Sequence, residues 1–181
     1  MLYEYQTAPM LEHLRRGDID LGILALPIPL ESCNIRELYV EPFVLAAPQG
    51  HRLATRSQIA VEDLKGETLL LLEDGHCLRE QALSVCQRSG VHEKQDFRAT
   101  SIETLRQMVA VGAGVTLLPA LASRGAYGNA KGVIVRPFVE PAPGRRIGAI
   151  WRKSSGRTAA IQALCEQILR HGAAGLEMAP R

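Results

Sequence analysis

The chain has 181 residues, 46% of them hydrophobic and 4% aromatic, with a formal net charge of +2 and its Lys and Arg scattered rather than striped. That length holds one domain or two small lobes with a sound core, and the weak, dispersed charge offers no nucleic-acid-binding face. Four cysteines without a leader-like basic and apolar stretch at Met1-Leu2-Tyr3-Glu4 point to a reducing cytoplasm, and the longest apolar run, Leu21 to Leu30, is broken by Pro27 and Pro29 and falls far short of the ~20 residues of a membrane span.

In chain order, Leu2 to Gln6 reads as a strand, Ala8 to Arg16 as a helix, and Gly17-Asp18 as the turn into an apolar strand, Ile19 to Leu26. A Pro-rich connection carrying Cys33 leads to a strand at Phe43 to Ala47, a short helix at Val61 to Leu64 and a strand at Thr68 to Leu72. Helices follow at Cys77 to Ser89 and Ile102 to Val111, then strands at Val115 to Leu118, Val133 to Pro137 and Ile147 to Arg152, and a last helix at Thr158 to His171. The tail Gly172 to Arg181 reads as frayed. Alternating elements of these lengths make an α/β chain and imply a largely parallel sheet with helical crossovers. Thr100-Ser101-Ile102-Glu103 has the form of a capping box, with Thr100 as N-cap and Glu103 at N3. Ile161, Leu164, Cys165 and Ile168 follow helical spacing, which puts Cys165 on a buried face.

The stretch Glu73-Asp74-Gly75-His76-Cys77-Leu78-Arg79 places Cys77 at a helix N-terminus after a turn, and Cys86 follows inside the same helix. Nine positions put the two sulfurs on opposite faces and about 14 Å apart along the axis, whereas a disulfide needs Cα atoms within roughly 7 Å. If the two pair, the helix must unwind. Cys77 is the better placed to react, because unsatisfied N–H groups, Arg79 and His76 favour a thiolate while Glu73 and Asp74 oppose it. The same spacing also fits two cysteines that fill the core as small apolar residues. A zinc site from His76, Cys77, Cys86 and His92 lacks the paired short ligand hooks of structural zinc, and no metal or cofactor is expected.

The segment from Leu72 to Arg79 with Cys86 resembles the redox site of the hydrogen-peroxide-sensing LysR-type transcriptional regulators. The downstream runs Phe97 to Arg106, Met108-Val109 and Gly114 to Leu121 extend the resemblance, which covers Leu2 to about Arg157. It implies a two-lobe effector domain like a type-2 periplasmic binding protein, with one lobe at 1–41 plus 146–181 and the other at 42–145. It also implies that the first strand and helix of the first lobe, and the DNA-binding winged helix-turn-helix, have no counterpart here. In such regulators peroxide oxidises the cysteine matching Cys77 to a sulfenic acid, the one matching Cys86 resolves it to a disulfide, and the disulfide form activates transcription of oxidative-stress genes. Thr7 matches a threonine that hydrogen-bonds the peroxide, and Arg146, with Arg145 as a competing choice, matches an arginine that polarises it. His76 orients peroxide, shuttles a proton, or merely occupies the turn. The implied partners are hydrogen peroxide, a glutaredoxin-type reductant and a second copy of the chain, giving a dimer or tetramer through the first lobe. DNA is reached only through the missing domain, and RNA polymerase only by the full-length protein.

Two other classes fit parts of the pattern. A thiol peroxidase would use Cys77 in the same chemistry, but Leu69 to Gly75 lacks the Pro and Thr that precede the reactive cysteine of peroxiredoxin-like sites. A small-anion effector-binding domain would leave the cysteines incidental.

Overall fold

The computed structural model describes residues 1–28, 32–86, 92–124, 131–171 and 176–178. Its helices and strands run in the order α1 (Thr7–Arg16), β1 (Gly22–Leu26), β2 (Cys33–Pro48), β3 (Thr68–Leu72), α2 (Cys77–Cys86), β4 (His92–Ala99), α3 (Ile102–Ala110), β5 (Thr116–Pro119), β6 (Val133–Pro137), β7 (Gly144–Arg152), α4 (Thr158–His171) and β8 (Glu177–Met178). Two units result, one of Met1–Glu41 with Arg145–Arg181, the other of Pro42–Gly144.

In the first unit, β1 runs antiparallel to β7, with Gly22 opposite Ile150 and Leu26 opposite Arg146. Side chains alternate across a strand, and β7 uses both faces. Ile150 packs with Leu24 and with Met10 and Leu14 of α1, while Ala149 and Trp151 pack with Leu38 and with Ile161 and Cys165 of α4. One helix therefore covers each side. Glu41, only 2% exposed, is held by Arg145 through Nε at 3.0 Å and Nη2 at 2.8 Å, the partnering that a buried carboxylate requires.

The second unit is built on β3, whose Leu69, Leu70, Leu71 and Leu72 are all buried. An unbroken apolar run of this kind marks a strand covered on both faces. β3 pairs in parallel with β4, and beyond it the Leu70 N–H donates to the Val115 carbonyl at 2.8 Å. Glycine at 114 makes that approach possible, since a Cβ there would stand 2.5 Å from the Thr68 carbonyl oxygen. β5 and β6 both run antiparallel to the second half of β2. Phe43, Leu45, Leu105, Val109 and Leu117 join the β3 leucines in one core.

Several expectations are corrected. The sheet is not largely parallel: the β1–β7, β2–β5, β2–β6 and β2–β8 pairs are antiparallel. A helical crossover gives a parallel pair only where the strand after the helix lies beside the strand before it, as in β3-α2-β4; β5, β6 and β7 return instead against strands laid down much earlier. Leu2 to Gln6 forms no strand, because residues 1–6 are exposed with no described strand beside them. Tyr5 stacks instead on Tyr3 and on His13 of α1. The strand expected from Ile19 begins at Gly22, and the helix at Val61–Leu64 is a single 3₁₀ turn. Cys33 is no loop residue but opens β2 and packs against the α1 cluster. Two residues of the tail expected to fray, Glu177 and Met178, pair with Val40 and Tyr39. Residues 87–89, the expected end of the second helix, lie outside the described residues.

The cap of α3 is also shifted by one residue. Ser101, not Thr100, is the N-cap, its hydroxyl accepting the Thr104 N–H at 3.1 Å, and Glu103 bonds to Gln107 further along the helix. Ser101→Ala should cost about 1 kcal/mol of unfolding free energy, a cap's usual contribution, and Thr100→Ala under about 0.5 kcal/mol, as for an exposed substitution away from such features. Urea denaturation of the two variants checks the assignment.

Candidate functional site

Between β3 and α2 the chain turns through Glu73-Asp74-Gly75-His76. Gly75 sits at φ +93°, in the left-handed region that side chains with a Cβ rarely adopt, and it redirects the chain so that Cys77 becomes the first residue of α2. The turn is anchored to the end of β4 by the Glu73 N–H, which donates to the Ala99 carbonyl at 2.9 Å.

Along α2 the buried positions include Leu78, Ala82 and Cys86, a four-residue spacing that makes one core-facing stripe. Cys86, 3% exposed, lies among the leucines of β3. Cys77 stands 900° earlier at about 100° per residue, on the opposite face and about 14 Å away along the axis. It is partly exposed, and all four cysteines are free thiols. Burial pushes the Cys86 thiol up to about 11, so it is protonated at neutral pH. Cys165, fully buried against the first unit's sheet, is raised by burial too, with Arg36 opposing and Glu166 adding to the effect. Neither buried thiol offers a thiolate to an oxidant in solution.

Arg79 does not simply lend its charge to Cys77. Its side chain, 7% exposed, turns back so that Nε lies 2.9 Å from Asp74 Oδ1, with Nη1 3.5 Å from the Leu72 carbonyl oxygen. The other Asp74 oxygen is bound by Arg98 from β4. His76 lies 3.8 Å from Glu73 through Nε2, a contact that becomes an ion pair when the imidazole is protonated. Cys77, Cys86, His76 and Arg79 thus all belong to one helix and its entry turn.

Thr7 and Arg146 belong to the first unit, Thr7 as the opening residue of α1. The two adjacent arginines are distinguished by their partners. Arg145 is committed to buried Glu41, whereas Arg146, its side chain 55% exposed, makes a looser 3.4 Å contact with Glu37. Arg146 also borders an open groove of about 320 Å³ with Leu26, Pro27, Ile28, Ile35 and Glu37. Among the described residues no group of three or more His, Cys, Asp or Glu side chains could hold a metal ion, and no helix is long and apolar enough to cross a membrane. Sequence reasoning missed Asp74–Arg98 because the partners stand 24 residues apart with no local pattern joining them. Glu41, flanked by Val40 and Pro42, signalled its burial only by sitting in an apolar stretch.

Comparison with known proteins places this geometry. The model of the LysR substrate binding domain matches residues 2–173. The chain is 44% identical over 167 residues to the DNA-binding transcriptional dual regulator OxyR of Escherichia coli K12, an alignment covering 92% of this chain and 54% of that protein. It thus spans about half the length of the curated relatives it matches. Among solved structures it is similar to the oxidised form of OxyR, with TM-score 0.82 and 44% identity over 94% of this chain and 80% of that one. The reduced form of OxyR from N. meningitidis matches with TM-score 0.87 and 31% identity over 99% of this chain and 84% of that one.

Burial of Cys86 predicts a distinctive pH dependence. In a Cys77→Ser variant, alkylation of Cys86 should rise about tenfold per pH unit from pH 8 to 10, with no plateau until pH approaches about 11. Because the folded-state value is raised above the ordinary 9.0, the matching stability is complete below pH 9 and is lost as pH rises towards about 11. Mass-spectrometric labelling rates check the first expectation, and a plateau near pH 9 would contradict it.

Proposed function

The chain belongs to the LysR substrate-binding domain family, and from that premise we propose that it is the redox-sensing regulatory domain of a LysR-type transcriptional activator. The observation that carries this reading is the placing of Cys77 at the partly exposed start of α2 and Cys86 in the core at its other end. The Cys77 thiolate attacks hydrogen peroxide, the O–O bond breaks, hydroxide leaves, and Cys77 becomes a sulfenic acid. The Cys86 thiol then displaces the sulfenic oxygen as water, giving an intramolecular disulfide. Two electrons have passed from the two thiols to one peroxide, and a glutaredoxin-type dithiol returns them.

The fold gives the second step a structural consequence. Cys77 and Cys86 meet only if α2 unwinds, so Leu78, Ala82 and Cys86 must leave their places in the core. That couples a thiol reaction to a change of local fold, which the full-length regulator reads out through DNA and RNA polymerase. His76 serves at the turn, and Thr7 and Arg146 take the peroxide-handling roles implied by the family. Arg146 is favoured over Arg145 because Arg145 is held by Glu41. The chain assembles with a second copy through the unit containing α1 and α4. In support, α4 buries Ile161 and Cys165 and leaves Leu164, on the flank of that buried stripe, 47% exposed. It is not an enzyme, since the oxidised domain is the signal rather than an intermediate in turnover.

Peroxide titration with disulfide mapping tests the reading. One equivalent should link Cys77 to Cys86 in the reduced chain and leave Cys33 and Cys165 free. Cys86→Ser should accumulate a trappable sulfenate at Cys77 and proceed to higher oxides, and Cys77→Ser should consume no peroxide on this timescale. Oxidation of Cys33 or Cys165 first would refute the site, and consumption of many equivalents with reductant present, at a rate independent of refolding, would favour a peroxidase.

A further inference from the structure

We propose that Asp74 and Arg98 form a clasp that restrains disulfide closure and so sets the peroxide response; the inference rests on the switch proposed above. Arg79 lies within the segment that must unwind, between Cys77 and Cys86. Its buried guanidinium is held by Asp74 Oδ1 at 2.9 Å, while Arg98 of β4 binds Asp74 Oδ2. The neighbouring backbone is tied to the same place, Glu73 N–H donating to the Ala99 carbonyl at 2.9 Å. The turn that launches α2 is therefore fastened to β4 by one backbone bond and one bridging carboxylate.

When α2 unwinds, Arg79 moves with it. Either it keeps Asp74 and pulls the turn against Arg98, or it gives up its 2.9 Å ion pair with Asp74. Both courses oppose closure. The Arg98 end is 41% exposed and Asp74 68% exposed, so that half of the clasp is a weak surface pair, whereas the Arg79 end is buried and costs more to break. Asp74 and Arg98 are thus positioning residues that act through Arg79 on the reduced state and do not touch the oxidant.

Their charges give the test its resolution. If the pair acted instead through the field at Cys77, removing the anion of Asp74 and removing the cation of Arg98 would have opposite effects. A clasp demands the same sign for both. Asp74→Asn, Arg98→Ala and Arg98→Lys are equilibrated with glutathione buffers, and the Cys77–Cys86 disulfide fraction is measured. Asp74→Asn should shift the equilibrium towards disulfide about fivefold or more and Arg98→Ala about twofold to threefold, with Arg98→Lys close to the parent chain. The thermal midpoint should fall for the reduced forms of the first two variants and stay unchanged for their oxidised forms. Opposite shifts for Asp74→Asn and Arg98→Ala, or values for both within experimental error of the parent, would overturn the clasp while the switch stands. Failure of the parent chain itself to form the disulfide would instead overturn the switch and the clasp with it.

Discussion

The proposed switch depends on one spacer, the ten-residue helix with Cys77 at its first position and Cys86 at its last. Hydrogen-bonded α-helix fixes the distance between its ends, and about 14 Å of axis cannot be closed by side-chain rotation. The reduced protein is accordingly protected from forming the disulfide by its own secondary structure. On the proposed reading, a reactive thiol and its resolving partner are kept apart by the element that joins them, so that oxidation and refolding become a single event.

The packing decides how much that event costs. Leu78, Ala82 and Cys86 are each at most 7% exposed against the leucines of β3, and removing them from the core sacrifices burial worth roughly 1.5–3 kcal/mol for a leucine-sized side chain, along with helical hydrogen bonds of about 1 kcal/mol each. The sum is several kcal/mol, large against a domain's net stability of about 5–15 kcal/mol. In the proposed switch peroxide reduction supplies the driving force, and a disulfide formed against such resistance is one that a dithiol can reopen. Placing Cys86 in the core fits the proposed switch: its proton is retained and it is shielded from solvent until α2 opens.

Much of this was legible from residue spacing, because it is local. The nine-residue interval between the cysteines, the Gly75 turn and the apolar run from Leu69 to Leu72 depend only on near neighbours, as does the helical spacing that buries Cys165. Features that need partners from distant segments were not legible. His92 to Ala99 carries five charged or ionisable residues in eight (His92, Glu93, Lys94, Asp96 and Arg98) and resembles no buried strand, yet it is β4, fixed by pairing with β3. The strand direction inferred from element alternation failed because β5, β6 and β7 come back against earlier strands. Arg145 and Arg146 are indistinguishable as neighbours in a sequence, and only buried Glu41 separates them. Arg79 reads in the sequence as a cation near Cys77, and only the fold shows that it also pairs with Asp74.

Amide hydrogen exchange across Gly75 to Cys86, compared between the reduced and peroxide-oxidised chain, tests the central claim most directly, since it reads the helix itself. The account predicts slow exchange through α2 in the reduced form and a large rise on oxidation, with α3 changing much less. Equal protection of α2 in both redox states, with the Cys77–Cys86 disulfide formed, would contradict it.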